Sequence, residues 1–275
     1  MKGKFTLLVA LVFFFGLILW AAGSYLSKPV NQLVKMPVEF EKIVFNSTHG
    51  SFLKSESNSI CALLLHGVRS NRASMIGRAS FLKDMGISSL LIDLQAHGET
   101  LGSEITFGIR ESVDAANGVS FLKEVKECGK IVAIGQSLGG ASALLGNGPI
   151  HVDALILESV YPTIEEAVQN RLEMRLGKMG KIIAPFLYLQ IPLRIDVSLS
   201  ELKPIEAIKK VNVPVFIISG SNDEHTKAEE TERLFHAANE SKQLWLVKGA
   251  AHEDLLSYRP EEYKAKISSF IKQSL

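Results

Sequence analysis

The chain has 275 residues, 47% hydrophobic and 21% charged, with a formal net charge of +1. Such a composition can fill one large core and excludes a disordered chain. Acids and bases are interspersed without a long run of one sign, which excludes the electrostatic footprint of a nucleic-acid binder and points to a small-molecule or peptide partner.

Lys2 and Lys4 lead into FTLLVALVFFFGLILWAA, residues 5–22, whose one hydroxyl side chain is Thr6. A helix of that length crosses a bilayer of roughly 30 Å. The run exceeds the roughly 7 to 15 apolar residues of a cleaved signal, although Ala21, Ala22, Gly23 and Ser24 would suit cleavage. Residues 1–27 are therefore read as a membrane anchor, with secretion after cleavage as the alternative. The leading lysines favour a cytoplasmic N-terminus and an extracytoplasmic domain over residues 28–275, against which Lys28 and Lys35 weigh.

After a linker at 27–36, VEFEKIVF (38–45) alternates apolar and polar residues as a half-exposed strand does, and GSFLKSE (50–56) reads as its hairpin partner. Six apolar runs follow, at 60–67, 87–93, 130–135, 153–159, 213–220 and 242–249. Consecutive apolar positions mark strands covered on both faces, as in a parallel sheet. Between them, 71–85, 108–128, 138–145, 226–238 and 261–272 have helical length and period. The alternation predicts an α/β fold with a doubly wound, mostly parallel sheet whose ligands bind at the carboxyl ends of the strands.

Residues 161–211 break the rhythm. TIEEAVQNRLEMRLGKM is amphipathic, and KIIAPFLYLQIPL is apolar with Pro185 and Pro192. The segment is read as a helical cap over the strand ends, with Leu176, Ile182, Ile183, Phe186, Leu187 and Leu189 as its apolar lining; an ordinary crossover with a long connection is the alternative. Cys61 opens one strand-like run and Cys128 precedes another. If those strands are neighbours outside the cytoplasm, a disulfide can join them; otherwise they are buried free thiols.

Gly135-Gln136-Ser137-Leu138-Gly139 closes the run at 130–135 and opens a helix. On so sharp a turn the serine hydroxyl projects above the sheet, and the flanking glycines relieve the close approach of strand and helix. A serine nucleophile needs a base, and the base a carboxylate that fixes its tautomer. Asp223 in SGSNDEH and His252 in KGAAHED each follow a later strand, in the chain order Ser, Asp, His.

LLLHGVRSN, LLIDLQAHGET, IVAIGQSLGGASAL, VPVFIISGSND and KGAAHEDLL occur in that order. From about Cys61 to Leu275 the chain resembles an α/β-hydrolase of the serine esterase, monoacylglycerol-lipase and serine-aminopeptidase-like branch. The resemblance implies Ser137 as nucleophile, Asp223 as orienting acid and His252 as general base. It also implies an oxyanion hole from the backbone N–H groups of Val68 and Leu138, supported by His66 and Gly67, with Gly135 and Gly139 shaping the elbow.

Two departures stand out: Gln95 and Ala96 occupy positions where the family usually has arginine and glycine, and the proline often seen after the acid is missing behind Asp223. Glu158 is the substitute acid. His225, beside Asp223, is too near it in sequence to be its partner and is read as a surface residue, with a place at the pocket rim as the alternative. No phosphate loop, dinucleotide fingerprint or H-E-x-x-H motif occurs, so neither cofactor nor metal is expected.

The expected activity is hydrolysis of an ester or thioester, with a lipid-like acyl substrate suggested by the cap lining and the anchor. An aminopeptidase-like serine peptidase and a catalytically silent binding module are the alternatives.

Overall fold

The computed structural model describes residues 2–275, with the side chains of 2, 3, 5, 6, 8, 9 and 12 outside the described set. Helix α1 (Lys2–Ser27) opens the chain. Among the described residues no helix is long and apolar enough to cross a membrane. The span expected over 5–22 falls partly on positions outside that set.

The end of α1 is docked. Arg194 donates to the Trp20 carbonyl and, at 2.7 Å, to Ser24 Oγ, with its guanidinium 3.8 Å from the Trp20 ring centroid. Nor is the following linker loose. Its strand β1 (Val30–Asn31) runs parallel to a short strand at His97–Gly98, with Val30 N–H donating to the Ala96 carbonyl at 2.8 Å.

The core elements are β2 (Glu41–Phe45), β3 (Thr48–Leu53), β4 (Ile60–Leu65), α2 (Ile76–Asp84), β5 (Ser88–Ile92), β6 (His97–Gly98), α3 (Glu111–Glu124), β7 (Lys130–Gln136), α4 (Leu138–Leu144) and β8 (Ala154–Glu158). Residues 161–211 then form α5 (Ile164–Leu176), α6 (Lys178–Tyr188), α7 (Ile191–Ile195) and α8 (Pro204–Ala207). The chain returns through β9 (Val215–Gly220), α9 (Ala228–Ala237), β10 (Lys242–Val247), α10 (Leu255–Tyr258) and α11 (Pro260–Ser274).

An eight-stranded sheet runs β10-β9-β8-β7-β4-β5-β3-β2. All pairings from β10 to β5 are parallel, and the hairpin β2–β3 adds antiparallel to β5. Every residue of β5, β8 and β9 is buried, as expected of strands apolar on both faces. Alternation along β4 divides the core: Leu63 and Leu65 pack with Val119 and Leu122 of α3, whereas Ala62 and Leu64 pack with Ala79 and Leu82 of α2. Each fully buried leucine contributes roughly 1.5–3 kcal/mol.

Because β4 and β7 are neighbours, Cys61 and Cys128 meet at one end of the sheet. They form a disulfide with Cα atoms 5.8 Å apart.

In the cap, Thr163 caps α5 by accepting the Glu166 N–H at 3.2 Å. Gly177, at φ 56°, ends the helix. At Gly180 a Cβ would stand 2.4 Å from the Leu172 carbonyl oxygen, so only glycine lets α6 lie this close to α5.

Candidate active site

Ser137 stands alone between β7 and α4 at φ 49° and ψ −110°, backbone geometry that non-glycine residues rarely adopt. Its N–H donates to the Glu158 carbonyl at 2.7 Å, which ties the elbow to β8. A Cβ at Gly139 would lie 2.3 Å from the Leu65 carbonyl oxygen, and one at Gly135 2.6 Å from Gly140 Cα. Larger residues at either position would push α4 off the sheet.

Asp223 follows β9 and His252 follows β10, the adjacent strand. Asp223 Oδ2 accepts from His252 Nδ1 at 2.8 Å, and Oδ1 accepts the backbone N–H groups of His225 and Thr226, each at 2.8 Å. Burial works to raise the Asp223 carboxyl, but the His252 hydrogen bond and charge and the two backbone donors hold it below the usual carboxylate range. With Nδ1–H committed to Asp223, Nε2 of His252 is left as the proton acceptor. Among the described residues no hydrogen bond joins His252 to Ser137. Such contacts are often long in an unliganded site.

His225, read from the sequence as a surface or pocket-rim residue, packs against His252 with ring centroids 4.7 Å apart and the rings tilted by 32°. Burial and the neighbouring His252 and Arg171 pull its pKa down to about 4, so it is a neutral plate against the His252 ring. Its proximity to Asp223 in sequence disguised this, because the turn at 223–226 folds it back over the next loop.

The loop after β4 carries Gly67 and Val68. His66 is fully buried, donates from Nδ1 to the Gly67 carbonyl at 2.7 Å, and accepts the Leu94 N–H on Nε2 at 3.1 Å. Burial above all pulls its pKa down to about 3, which keeps that tautomer neutral. Val68 and Leu138 lie together with Ser137 at one cavity.

That cavity, of about 330 Å³, is walled by Ser137, Leu138, Val68, Phe107 and Tyr161, by one face of α5, by Leu187 of α6, and by Ala22, Tyr25 and Leu26 at the end of α1. Of the six lining residues expected from the cap, Leu187 alone reaches it. Leu176, Ile182, Phe186 and Leu189 are 49 to 61% exposed, and Ile183 is half-buried. The reason is helical period: Gly180, Ala184 and Leu187 turn inward, which leaves the remaining apolar side chains of α6 facing out. The lining comes instead from Ile164, Ala167, Val168, Arg171, Leu172 and Arg175, a continuous face of α5.

The wall from α1 was equally hidden. Gly23, read as part of a cleavage site, is a packing residue: a Cβ there would lie 2.8 Å from Arg194 Nε.

The first departure from the family pattern, at Gln95 and Ala96, is accommodated locally. Gln95 donates from Nε2 to the Glu104 carbonyl at 2.7 Å and to Glu111 Oε1 at 3.2 Å, and Ala96 accepts φ 61° where glycine is usual. Asp93 is held by the buried Arg72, whose N–H it accepts at 2.7 Å. Glu158 is committed to Arg78 and Tyr263, so it does not serve His252 as an acid. Among the described residues no three His, Cys, Asp or Glu side chains gather where a metal could sit.

No known protein-family model matches the chain. Among solved structures, the Pyrococcus furiosus esterase Pf2001 superposes with a TM-score of 0.73 at 22% identity, covering 90% of this chain and 98% of that one. The α/β serine hydrolase XC6422 of Xanthomonas campestris gives 0.61 at 13% identity over 89% of this chain and 98% of its own.

The chain has the α/β-hydrolase fold.

Within this α/β-hydrolase fold, relatives by sequence include the uncharacterized protein YqkD of Bacillus subtilis, 24% identical over 76% of this chain and 70% of its own length. The uncharacterized protein Rv2307c of Mycobacterium tuberculosis is 30% identical over 68% of this chain, which spans 60% of that protein's length.

Proposed function

We propose that the chain is a membrane-anchored serine hydrolase that cleaves an ester or thioester, with Ser137 as nucleophile, His252 as general base and Asp223 as its orienting acid. His252 Nε2 takes the hydroxyl proton as Ser137 Oγ attacks the acyl carbon, and returns it to the leaving alcohol or thiol. Water activated by the same nitrogen then releases the acid. The N–H groups of Val68, in the loop after β4, and of Leu138, at the N-terminus of α4, stabilise the oxyanion of both tetrahedral intermediates.

The observation that carries this reading is the strained Ser137 at the floor of an apolar cavity, with the Asp223–His252 pair at 2.8 Å on the adjoining strand ends. The structural neighbours described as esterases support it. Among the described residues no aspartate or glutamate lines the cavity to hold a peptide amino terminus, while Arg69, Arg171 and Arg175 do line it.

Residues 5–22 anchor the chain and place the domain outside the cytoplasm. The Cys61–Cys128 disulfide favours an oxidising compartment. The use of Ala22, Tyr25 and Leu26 as cavity wall favours retention of the segment over cleavage. Exposed apolar residues of α6 adjoin α1, where Phe15 meets Phe186 edge-on at 6.5 Å, and together they form a surface suited to lipid and a lipid-like acyl substrate.

A fluorophosphonate probe tests the chemistry. Labelling of the full chain that is lost in Ser137→Ala supports a serine hydrolase, whereas folded chain that resists labelling supports a silent binding module. Cysteine labelling of a tagged N-terminus in intact cells tests the orientation.

A further inference from the structure

Among the described residues, the charged side chains lining the cavity are all of one kind. Arg69, Arg171 and Arg175 project among its apolar side chains, with no carboxylate beside them in the lining. Elsewhere, four of six arginines pair with carboxylates, Arg72 with Asp93 and Glu99, Arg78 with Glu158 and Asp254, Arg110 with Glu104 and Arg233 with Glu166, whereas Arg194 is held by Gln190, Ser24 and the Trp20 carbonyl and Arg259 lies against the Tyr258 ring. The hydrogen-bond partners of the cavity arginines are neutral among the described residues: Arg171 Nη1 donates to the Ala167 carbonyl at 2.8 Å, and Arg69 donates to the Tyr25 carbonyl, with its guanidinium 4.7 Å from the Tyr25 ring centroid.

The placement on α5 has a direction. Ile164, Ala167 and Val168 present an apolar strip over little more than the first turn, and the same face ends in Arg171 and Arg175, one turn apart. Arg175 in the last turn also suits the helix dipole, but that influence fades by the position of Arg171. Two guanidiniums on one face repel each other; burial works against the charge of Arg171, Tyr161, Asp223 and Glu230 offset part of that, and Arg175 adds to it. An anion between them removes both penalties, and two guanidinium forks match a phosphate or carboxylate.

We propose that the substrate is an anionic amphiphile: an ester whose apolar chain lies along the first turns of α5 and whose phosphate or carboxylate is held by Arg171 and Arg175, with Arg69 at the rim. The proposal rests on the serine hydrolase reading and specifies its substrate class. Anions of this kind occur on the substrate itself and on the surface of a bilayer; the site commits to the substrate, because both arginines line the same cavity as Ser137.

The test uses the full chain in a non-ionic detergent, which carries no surface charge. Hydrolysis of 1-decanoylglycerol is compared with that of its 3-phosphate, and the quantity read is the ratio of the two kcat/KM values. The wild-type chain should favour the phosphate by 10-fold or more. Arg175→Gln, at an exposed position, and Arg171→Gln should each reduce the ratio through KM of the phosphate, and Arg171→Lys should restore part of it.

A wild-type ratio near 1, or a ratio unchanged in both glutamine variants, overturns the proposal. So does a preference that emerges only with anionic lipid in the micelle and is the same for both esters, since the arginines then serve the surface. Fluorophosphonate labelling of Ser137 separates the two levels: labelling with a flat ratio refutes the anion site alone, whereas no labelling and no turnover of either ester refutes the hydrolase reading as well.

Discussion

Arg78 and Glu158, both buried, face each other beneath the elbow: Arg78 Nε lies 3.1 Å from Glu158 Oε1, and Nη2 bonds Oε2 at 2.5 Å. The same glutamate accepts the Ser137 N–H on its backbone carbonyl, and the same arginine reaches Asp254 at 2.9 Å, two residues beyond His252. One ion pair thus joins the supports of nucleophile and base. Arg78→Met leaves a buried carboxylate unpaired and should cost about 3–5 kcal/mol in denaturant unfolding. Replacing Glu158 by leucine as well should recover part of the loss, and turnover should fall with the single variant.

Asp223→Asn keeps the shape of the acid but favours the wrong His252 tautomer. A fall in kcat of about 10⁴-fold, with KM little changed, is expected. Steady-state kinetics on a neutral ester measures it, and a variant within tenfold of wild type would remove Asp223 from the mechanism.

His66 makes the fold acid-sensitive. Its pKa is about 3 in the folded chain against 6.5 for a free imidazole, so the folded state binds fewer protons in between. The stabilisation is complete above about 6.5 and is lost as pH falls towards 3, at most about 5 kcal/mol at 1.36 kcal/mol per pH unit. Asp114, pushed up to about 6 by burial, acts in the opposite sense and favours the fold below about 4. Between pH 7 and pH 4 the two terms nearly offset each other, at about 3 kcal/mol each, so the His66 share is read as a difference: the unfolding free energy of the wild type minus that of His66→Gln should fall over that range.

The Cys61–Cys128 bridge closes a separation of 67 residues. Loop closure of that size stabilises by about 4 kcal/mol in the chain-entropy account. Reduction, or replacement of both cysteines by alanine, should lower the unfolding midpoint accordingly while leaving probe labelling of the folded chain intact.

Removing residues 1–27 takes away the wall formed by Ala22, Tyr25 and Leu26. KM for a long-chain ester should rise about tenfold, corresponding to the loss of roughly 1–2 kcal/mol of apolar contact. An acetyl ester should be nearly indifferent, so the ratio of the two substrates reads the wall directly.

The elbow and the strand order of the catalytic candidates were legible because their signals are local. Glycines at 135 and 139 mark where strand and helix press together, and consecutive apolar residues in β5, β8 and β9 mark strands buried on both faces. Asp223 and His252 could be singled out because each follows such a strand. The cap was legible as helical but not in its orientation. Both α5 and α6 carry apolar residues, and which face turns inward depends on the Gly180–Leu172 approach and on the docking of α1.

The sequence by itself determined the α/β alternation, the turn that carries Ser137 and the loops that carry its candidate partners, since glycine sterics and two-sided burial act over a few residues. Only the tertiary structure decided that Cys61 meets Cys128, that His225 covers His252, and that Arg171 and Arg175 enter the cavity while Phe186 leaves it. Those outcomes depend on which elements pack together, and packing is settled across distant parts of the chain by shape and burial.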